Sequence, residues 1–223
     1  MNDELNYMNT ENLKFFGKVN ASISHELKNI LAIISETAGF LNDLAELAKQ
    51  GKELKLSLLE SCSNSIVEEI QRGFTTIRQM NRFSHSVDVP VMEVDLMETL
   101  DLMAGLSGFL SFASHVRIEN KDKEIKTIST CPFLLQNLIY QILCFAYESA
   151  GPTGEIRIHL STENEKGILL AFFSSAQMPA EKFPNEKIRK TADVLGVEFK
   201  TNHSLYELNI LIPYVCEKIK RLE

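Results

Sequence analysis

Along the first part of the chain apolar residues return every three or four positions: Leu13, Phe16, Val19, Ile23, Leu27, Ile30, Ile34, Ala38, Leu41, Leu44 and Ala48. That period matches the turn of an α-helix, so the segment from about Thr10 to Ala48 is expected to form one long amphipathic helix. The charged stretch Lys49 to Glu53, which contains Gly51, interrupts the pattern. Leu59, Cys62, Ile66, Ile70, Gly73, Ile77 and Met80 then resume it. A second helix, antiparallel to the first across a short turn, is expected there. Two long helices with narrow apolar stripes cannot bury both stripes as an isolated pair. The simplest solution is a four-helix bundle built by two copies of the chain, a homodimer; the alternative is a monomer whose hairpin packs on the rest of its own chain.

Pro90, in the stretch Val87 to Glu93, stops helix propagation, and the pattern changes beyond it. Two domains are therefore expected, residues 1–88 and 91–223. The second alternates: a helix from about Asp95 to Ala113, strands near His115 to Glu119 and Ile125 to Ser129, and a helix from Pro132 to Ser149. Strands at Glu155 to Ser161 and Gly167 to Ser174 follow, then a helix near Asn185 to Leu195 and strands at Val197 to Thr201 and Leu205 to Ile212. The fold class is α+β, a long helical hairpin followed by an α/β sandwich with helices on one face of a mixed sheet.

With 223 residues, 44% of them hydrophobic, the chain is long enough for one large domain or two small ones with their own cores. A formal charge of -7 and the lack of any dense lysine or arginine block argue against nucleic acid as a partner. Cys62, Cys131, Cys144 and Cys216 lie far apart, without CxxC spacing or a secretory leader, and read as reduced thiols. The charge-free run from Thr127 to Tyr147 has the length of a membrane span, but Pro132 breaks it and Gln136, Asn137 and Gln141 interrupt it. A strand and a buried helix fit it better, so no membrane insertion and a cytoplasmic location are expected.

One short stretch carries a candidate for chemistry. In SHELKNILAII, Ser24 to Ile34, a histidine stands beside a glutamate and four residues before an asparagine. At 100° per residue, with His25 at 0°, Phe16, Ile23, Leu27, Ile30, Ile34 and Leu41 fall between about 140° and 200°. His25 therefore points away from the core. Asn29 falls at about 40°, Glu36 and Lys18 at about 20°, and Ala21 and Ala32 within about 40° on the other side, so a partner surface has room to approach. A lone histidine on such a face is ordinarily just solvated; here its company matters. Glu26 can hold one ring nitrogen protonated and leave the other as a nucleophile. Asn29 can orient a water or a phosphoryl oxygen, and Lys18 and Lys28 favour an incoming anion. Zinc peptidases also carry His-Glu on a helix, but they need a second histidine where this chain has Asn29, which argues against a metal. His85, His115, His159 and His203 are scattered singly and read as structural.

The stretch FGKVNASISHELKNILAIISE, Phe16 to Glu36, resembles the H-box of bacterial two-component histidine kinases. The resemblance implies a dimerisation and phosphotransfer hairpin in which His25 is phosphorylated, Glu26 is a general base and Asn29 serves phosphatase activity. Asn29 is followed by Ile30 where the family more commonly has a proline, which leaves the helix unkinked. The second half follows the family's ATP-binding domain in element order but departs from its nucleotide residues. In LLQNLIYQILCFAYESAGPTGEIRIHL, Leu134 to Leu160, Phe145 stands where the family has its magnesium-binding asparagine, and Gln141 at an earlier asparagine. A phenylalanine cannot ligate magnesium. SSAQM, Ser174 to Met178, replaces the DxGxG motif, losing the carboxylate that reads adenine. Pro179 to Leu195 has no glycine with which to form a phosphate loop, and the closing GTxF signal fails at Ser204 and Leu205.

A kinase-like hairpin with a degenerate ATP domain resembles the dimeric histidine phosphotransferases of phosphorelays. The expected function is transfer of a phosphoryl group between receiver-domain aspartates through His25. No cofactor is expected on this chain, the magnesium belonging to the partner receiver of a response regulator. The alternatives are a receiver phosphatase using Asn29, a non-catalytic dimeric adaptor and, last, an ATP-dependent histidine autokinase.

Overall fold

The computed structural model of the chain describes residues 2–107, 115–120, 127–179, 183–200 and 206–216. The chain divides into two compact units, Phe16–Arg82 and a second in which the residues up to Phe15 join those from Phe83 onward. The division thus falls a few residues before the segment around Pro90, and the first turns of the opening helix belong to the second unit.

Helix α1 spans Asn2–Lys49 and α2 spans Leu56–Ser84. Gly51 ends the first with a φ of +81°, and its N–H donates to the Ala48 carbonyl at 2.9 Å while Lys52 N–H donates to Leu47 at 3.1 Å. This pair of bonds satisfies the last carbonyls of the helix and needs a left-handed residue between them, a conformation that glycine adopts without a Cβ clash. In the Phe16–Arg82 unit, Val19, Ile23, Glu26, Ile30 and Leu44 are buried on α1, and Cys62 and Thr76 on α2. Leu27, Ile34 and Leu41 are only half-buried, and Ile70 and Ile77 are exposed. One chain therefore leaves part of each apolar stripe uncovered.

The second unit includes a short 3-10 turn, His85–Val87, directly after α2. It contains β1 (Met92–Val94), α3 (Leu96–Ser107), β2 (His115–Asn120), β3 (Ile128–Thr130) and α4 (Pro132–Ala150). β4 (Glu155–Glu163), β5 (Gly167–Ser174), α5 (Glu186–Leu195), β6 (Glu198–Lys200) and β7 (Glu207–Pro213) complete it. The main sheet has the order β2-β4-β5-β7-β6, parallel between β2 and β4 and antiparallel elsewhere. It is the mixed sheet expected from the alternation. Two details differ. The stretch around Pro90 holds a strand, β1, and the expected strand at Ile125 to Ser129 appears as β3, paired with β1 and not with the main sheet. Pro132 starts α4 two residues after β3 and so limits this strand to three residues. Its other edge is met by the chain near the end of the described residues, with Ser129 N–H on Tyr214 at 2.7 Å and Cys216 N–H on Ser129 at 2.9 Å. The last residues of the expected helix to Ala113, the first of the expected strand at Ile125, and His203 lie outside the described residues.

Strand alternation builds the core. Ile156, Ile158 and Leu160 of β4, Ile168, Leu170 and Phe172 of β5, and Ile210 and Ile212 of β7 are all buried, as are Leu135, Leu138, Ile139, Ile142, Leu143 and Ala146 of α4, which packs on β4 and β5. Each large aliphatic side chain removed from water contributes roughly 1.5–3 kcal/mol, far more than any surface pair. Caps fix the helix ends: Asp95 Oδ1 accepts from Glu98 N–H at 3.1 Å ahead of α3, and Asn185 Oδ1 accepts from Ile188 N–H at 2.9 Å ahead of α5.

The start of α1 is tied into the same unit. The Phe15 ring, fully buried, meets Phe83 edge-on with centroids 5.5 Å apart, Phe133 at 5.4 Å and Tyr140 at 5.1 Å. One turn earlier, Glu11 takes Lys14 on one carboxylate oxygen at 2.8 Å and Lys187 of α5 on the other at 2.9 Å. The hydrogen bonds from Lys14 and then Lys187 hold the Glu11 carboxyl down at about 2. A carboxyl depressed in the folded state stabilises it above the unfolded value of 4.5, and that contribution is lost as pH falls toward 2. Glu11→Gln is expected to cost on the order of 1 kcal/mol at pH 7 after allowance for solvent screening. Urea midpoints should show the gap to wild type closing between pH 4.5 and pH 2; a gap independent of pH would place the effect in packing.

Candidate functional site

The long helix α1 sorts its residues by direction. Val19, Ile23, Glu26 and Ile30 are buried, whereas Lys18, Ala21, Ser24, His25, Lys28, Asn29, Ala32 and Glu36 are exposed. The imidazole of His25 is thus presented to solvent near the middle of the helix. The small residues Ala21 and Ala32 lie to one side of it, and Asn29 one turn on. This is the face that helical spacing assigned to it.

Glu26 lies elsewhere. It is 8% exposed and turned into the hairpin, where its Oε1 accepts from Arg72 Nε at 2.7 Å and also from Arg72 Nη2. Arg72, on α2, uses Nη1 for a second carboxylate, that of Glu69, with N···O distances of 3.1 and 3.0 Å. Burial pulls the guanidinium's pKa down, and the hydrogen bond and charge of Glu26, with Glu69 behind them, more than offset it and leave the group held above its usual range. The structure therefore brings together Glu26, Arg72 and Glu69 as one cluster, and His25 and Asn29 as another on the outer face. Sequence reasoning passed over Arg72 and Glu69. The signal was present: Glu26 falls at about 100° from His25, beside Val19 at about 120°, which is the interior of the helix and the wrong side for a solvated carboxylate.

In the α/β unit, the positions where the resemblance places nucleotide chemistry are engaged by the protein itself. The half-buried Phe145 ring of α4 lies 4.9 Å from that of Phe183, which meets Phe199 of β6 edge-on at 5.4 Å. Gln141 donates to Asn137 at 2.8 Å, and Asn137 donates to Asn12 at 2.9 Å. Ser174, buried at the end of β5, accepts the N–H of Ala176 on its hydroxyl at 3.2 Å. Residues 180–182 lie outside the described set.

The other histidines are placed singly. His85 pairs with Asp88 at 2.7 Å on the surface, and the His159 ring lies 4.6 Å from that of Phe173, tilted by 50°. His159 Nε2 lies 3.0 Å from a Glu119 carboxylate oxygen but off the line of a hydrogen bond. Among the described residues no group of three or more histidine, cysteine or acidic side chains is placed to hold a metal, and no helix is long and apolar enough to cross a membrane. All four cysteines are free thiols.

No protein-family profile matches the chain, and no curated protein does. Solved structures similar to it include a nucleotide-free form of the catalytic domain of histidine kinase ThkA, at 17% identity and a TM-score of 0.48, over 58% of this chain and 99% of that one. ThkA in complex with response regulator protein TrrA is similar at 20% identity and 0.48, over 94% of this chain and 65% of that one. The histidine kinase domain of the blue-light activated kinase EL346 of Erythrobacter litoralis is similar at 15% identity and 0.46, over 80% and 96%.

Proposed function

We propose that the chain is a homodimeric histidine phosphotransfer protein that relays a phosphoryl group between receiver-domain aspartates through His25. The observation that carries this reading is the exposure of His25 on a face of α1 lined by Ala21, Ala32, Asn29, Lys18 and Lys28, away from the buried stripe. A receiver carrying an aspartyl phosphate docks on that face. The lone pair of one imidazole nitrogen attacks phosphorus in line, the N–P bond forms as the acyl O–P bond breaks, and the aspartate leaves as carboxylate with the electron pair. The receiver supplies the magnesium. Lys18 and Lys28 lower the cost of bringing the charged group to the helix. In the reverse direction His25 returns the phosphoryl to a second receiver. Asn29 orients water when hydrolysis competes with transfer.

Phe145, Ser174 and Gln141 support a donor other than ATP. An aromatic ring, a hydroxyl engaged by its own turn and an amide bonded to Asn137 stand at the positions that resemble the family's nucleotide residues. ATP-driven autophosphorylation of His25 is the second reading, favoured by the order of elements in the α/β unit and its mixed sheet with α4 on one face.

The partner proposed for the hairpin is a second copy. Val67, Ile70, Phe74 and Ile77 recur at three- and four-residue spacing on α2 and are 50, 43, 59 and 43% exposed. Leu27, Leu31, Ile34, Ala38 and Leu41 do the same on α1, with Leu31 65% exposed. Two such seams meeting across a two-fold axis make a four-helix bundle, and their burial is the driving force.

Receiver domains from the same genome, charged with acetyl phosphate, should transfer label to the chain in acid-labile form. His25→Ala should remove that label without unfolding the helix, since an exposed side chain leaves no cavity. Asn29→Ala should slow receiver dephosphorylation at least several-fold more than forward transfer. Label that survives His25→Ala would reject the assignment, and free phosphate with no labelled chain would favour a phosphatase. Phe74→Glu should convert the dimer to monomer in sedimentation at micromolar concentration, because two like charges would face each other in an apolar seam. An unchanged sedimentation coefficient would place the dimer contact elsewhere.

A further inference from the structure

Glu26 stands next to the proposed phosphoryl acceptor in sequence yet gives its carboxylate to Arg72, and that arrangement has a chemical consequence. We propose that Arg72 is a positioning residue that decides whether the Glu26 carboxylate serves the His25 imidazole, a regulation of the same site that rests on the phosphotransfer reading. Three observations carry it. Glu26 is buried, and one of its oxygens takes two of the Arg72 N–H groups. Arg72 is shared, its Nη1 lying on both oxygens of Glu69 at 3.1 and 3.0 Å. Its side chain is 44% exposed, so the guanidinium has solvent-side room to move.

A guanidinium has five N–H donors in a fixed fork, enough to bridge two carboxylates or to turn fully onto one. If Arg72 turns onto Glu69, its charge stays paired and only Glu26 loses its partner. A carboxylate left alone inside a hairpin is costly, so Glu26 must then seek the surface. His25 is the adjacent residue, one helical step of 100° away, and a rotamer change brings the carboxylate toward its ring without unwinding the helix. There it accepts from the Nδ1–H and leaves Nε2 with its lone pair as the nucleophile. With Arg72 on Glu26, as observed, the imidazole has no such partner from Glu26. Acceptance from an acyl phosphate, an activated donor, demands least help from a base in that state, which is the chemistry proposed for this chain.

The test reads the histidine directly and needs no phosphoryl donor, so its failure is distinct from failure of the transfer reading. Imidazole nitrogen shifts of the isotope-labelled full chain, measured at a pH where the ring is neutral, give the tautomer ratio at His25. In wild type, Glu26→Gln should leave that ratio unchanged. Arg72→Gln should raise the Nδ1–H tautomer relative to the other by about tenfold, the worth of one hydrogen bond to a charged acceptor. The double variant should return to the wild-type ratio, and Arg72→Lys, which keeps a cation for Glu26, should stay near it. A change on Glu26→Gln alone would overturn the proposal, because Glu26 would already serve the ring. So would an Arg72→Gln variant of wild-type helix content whose ratio does not move. If Arg72→Gln loses its helix content by circular dichroism, Arg72→Met, which keeps an apolar stem over the helix without the cation, takes its place: it should raise the ratio as far, and a folded Arg72→Met chain whose ratio does not move would overturn the proposal.

Discussion

The burial of one side of α1 is the constraint from which the rest follows. Val19, Ile23 and Ile30 are removed from water at spacings that only a helix can bring to one side, and their combined burial outweighs any polar contact on the hairpin. Once that side is fixed, each remaining residue has a direction assigned to it. His25 must face solvent and Glu26 must face the interior, since adjacent residues on a helix differ by 100°. A carboxylate placed inside needs a cation, and Arg72 supplies it from α2. The chemistry proposed for His25 and the polar strut beneath it are thus two results of one packing decision.

The same constraint accounts for the uncovered apolar surface. A pair of helices can bury only the facing parts of two stripes, and the exposed Leu31, Val67, Ile70, Phe74 and Ile77 are the parts left over. A second copy covers them in the proposed bundle. In the α/β unit α4 is laid on β4 and β5, and aromatic rings from α4, β6 and the segment before α5 meet at Phe145, Phe199 and Phe183. Rings that already pack on one another gain little by parting for a polar ligand.

Much of this was legible in the residues. Three- and four-residue apolar spacing placed both long helices, Pro132 marked the start of α4, and alternation such as Ile156, Ile158 and Leu160 marked the strands. The exposure of His25, Asn29, Ala21 and Ala32 followed from angles alone. What escaped was pairwise and long-range. β1 is three residues long, too short for its own periodicity, and exists because β3 lies beside it. Arg72 lies 46 residues from Glu26, and nothing local to either announces the bond between them. The stripe drawn from apolar residues alone, between about 140° and 200°, also ran slightly off the buried side, which takes in Val19 at about 120° and the ion-paired Glu26 at about 100°.

In the proposed function phosphorus reaches His25 from an aspartyl phosphate and not from ATP. This is tested most directly by locating phosphate on the chain with tandem mass spectrometry at alkaline pH after two parallel incubations. One contains receiver domains charged with acetyl phosphate, and the other contains only magnesium and ATP. The expected result is phosphoryl-His25 in the first and an unmodified chain in the second. Phosphoryl-His25 formed with ATP alone would contradict it and make the protein a histidine kinase.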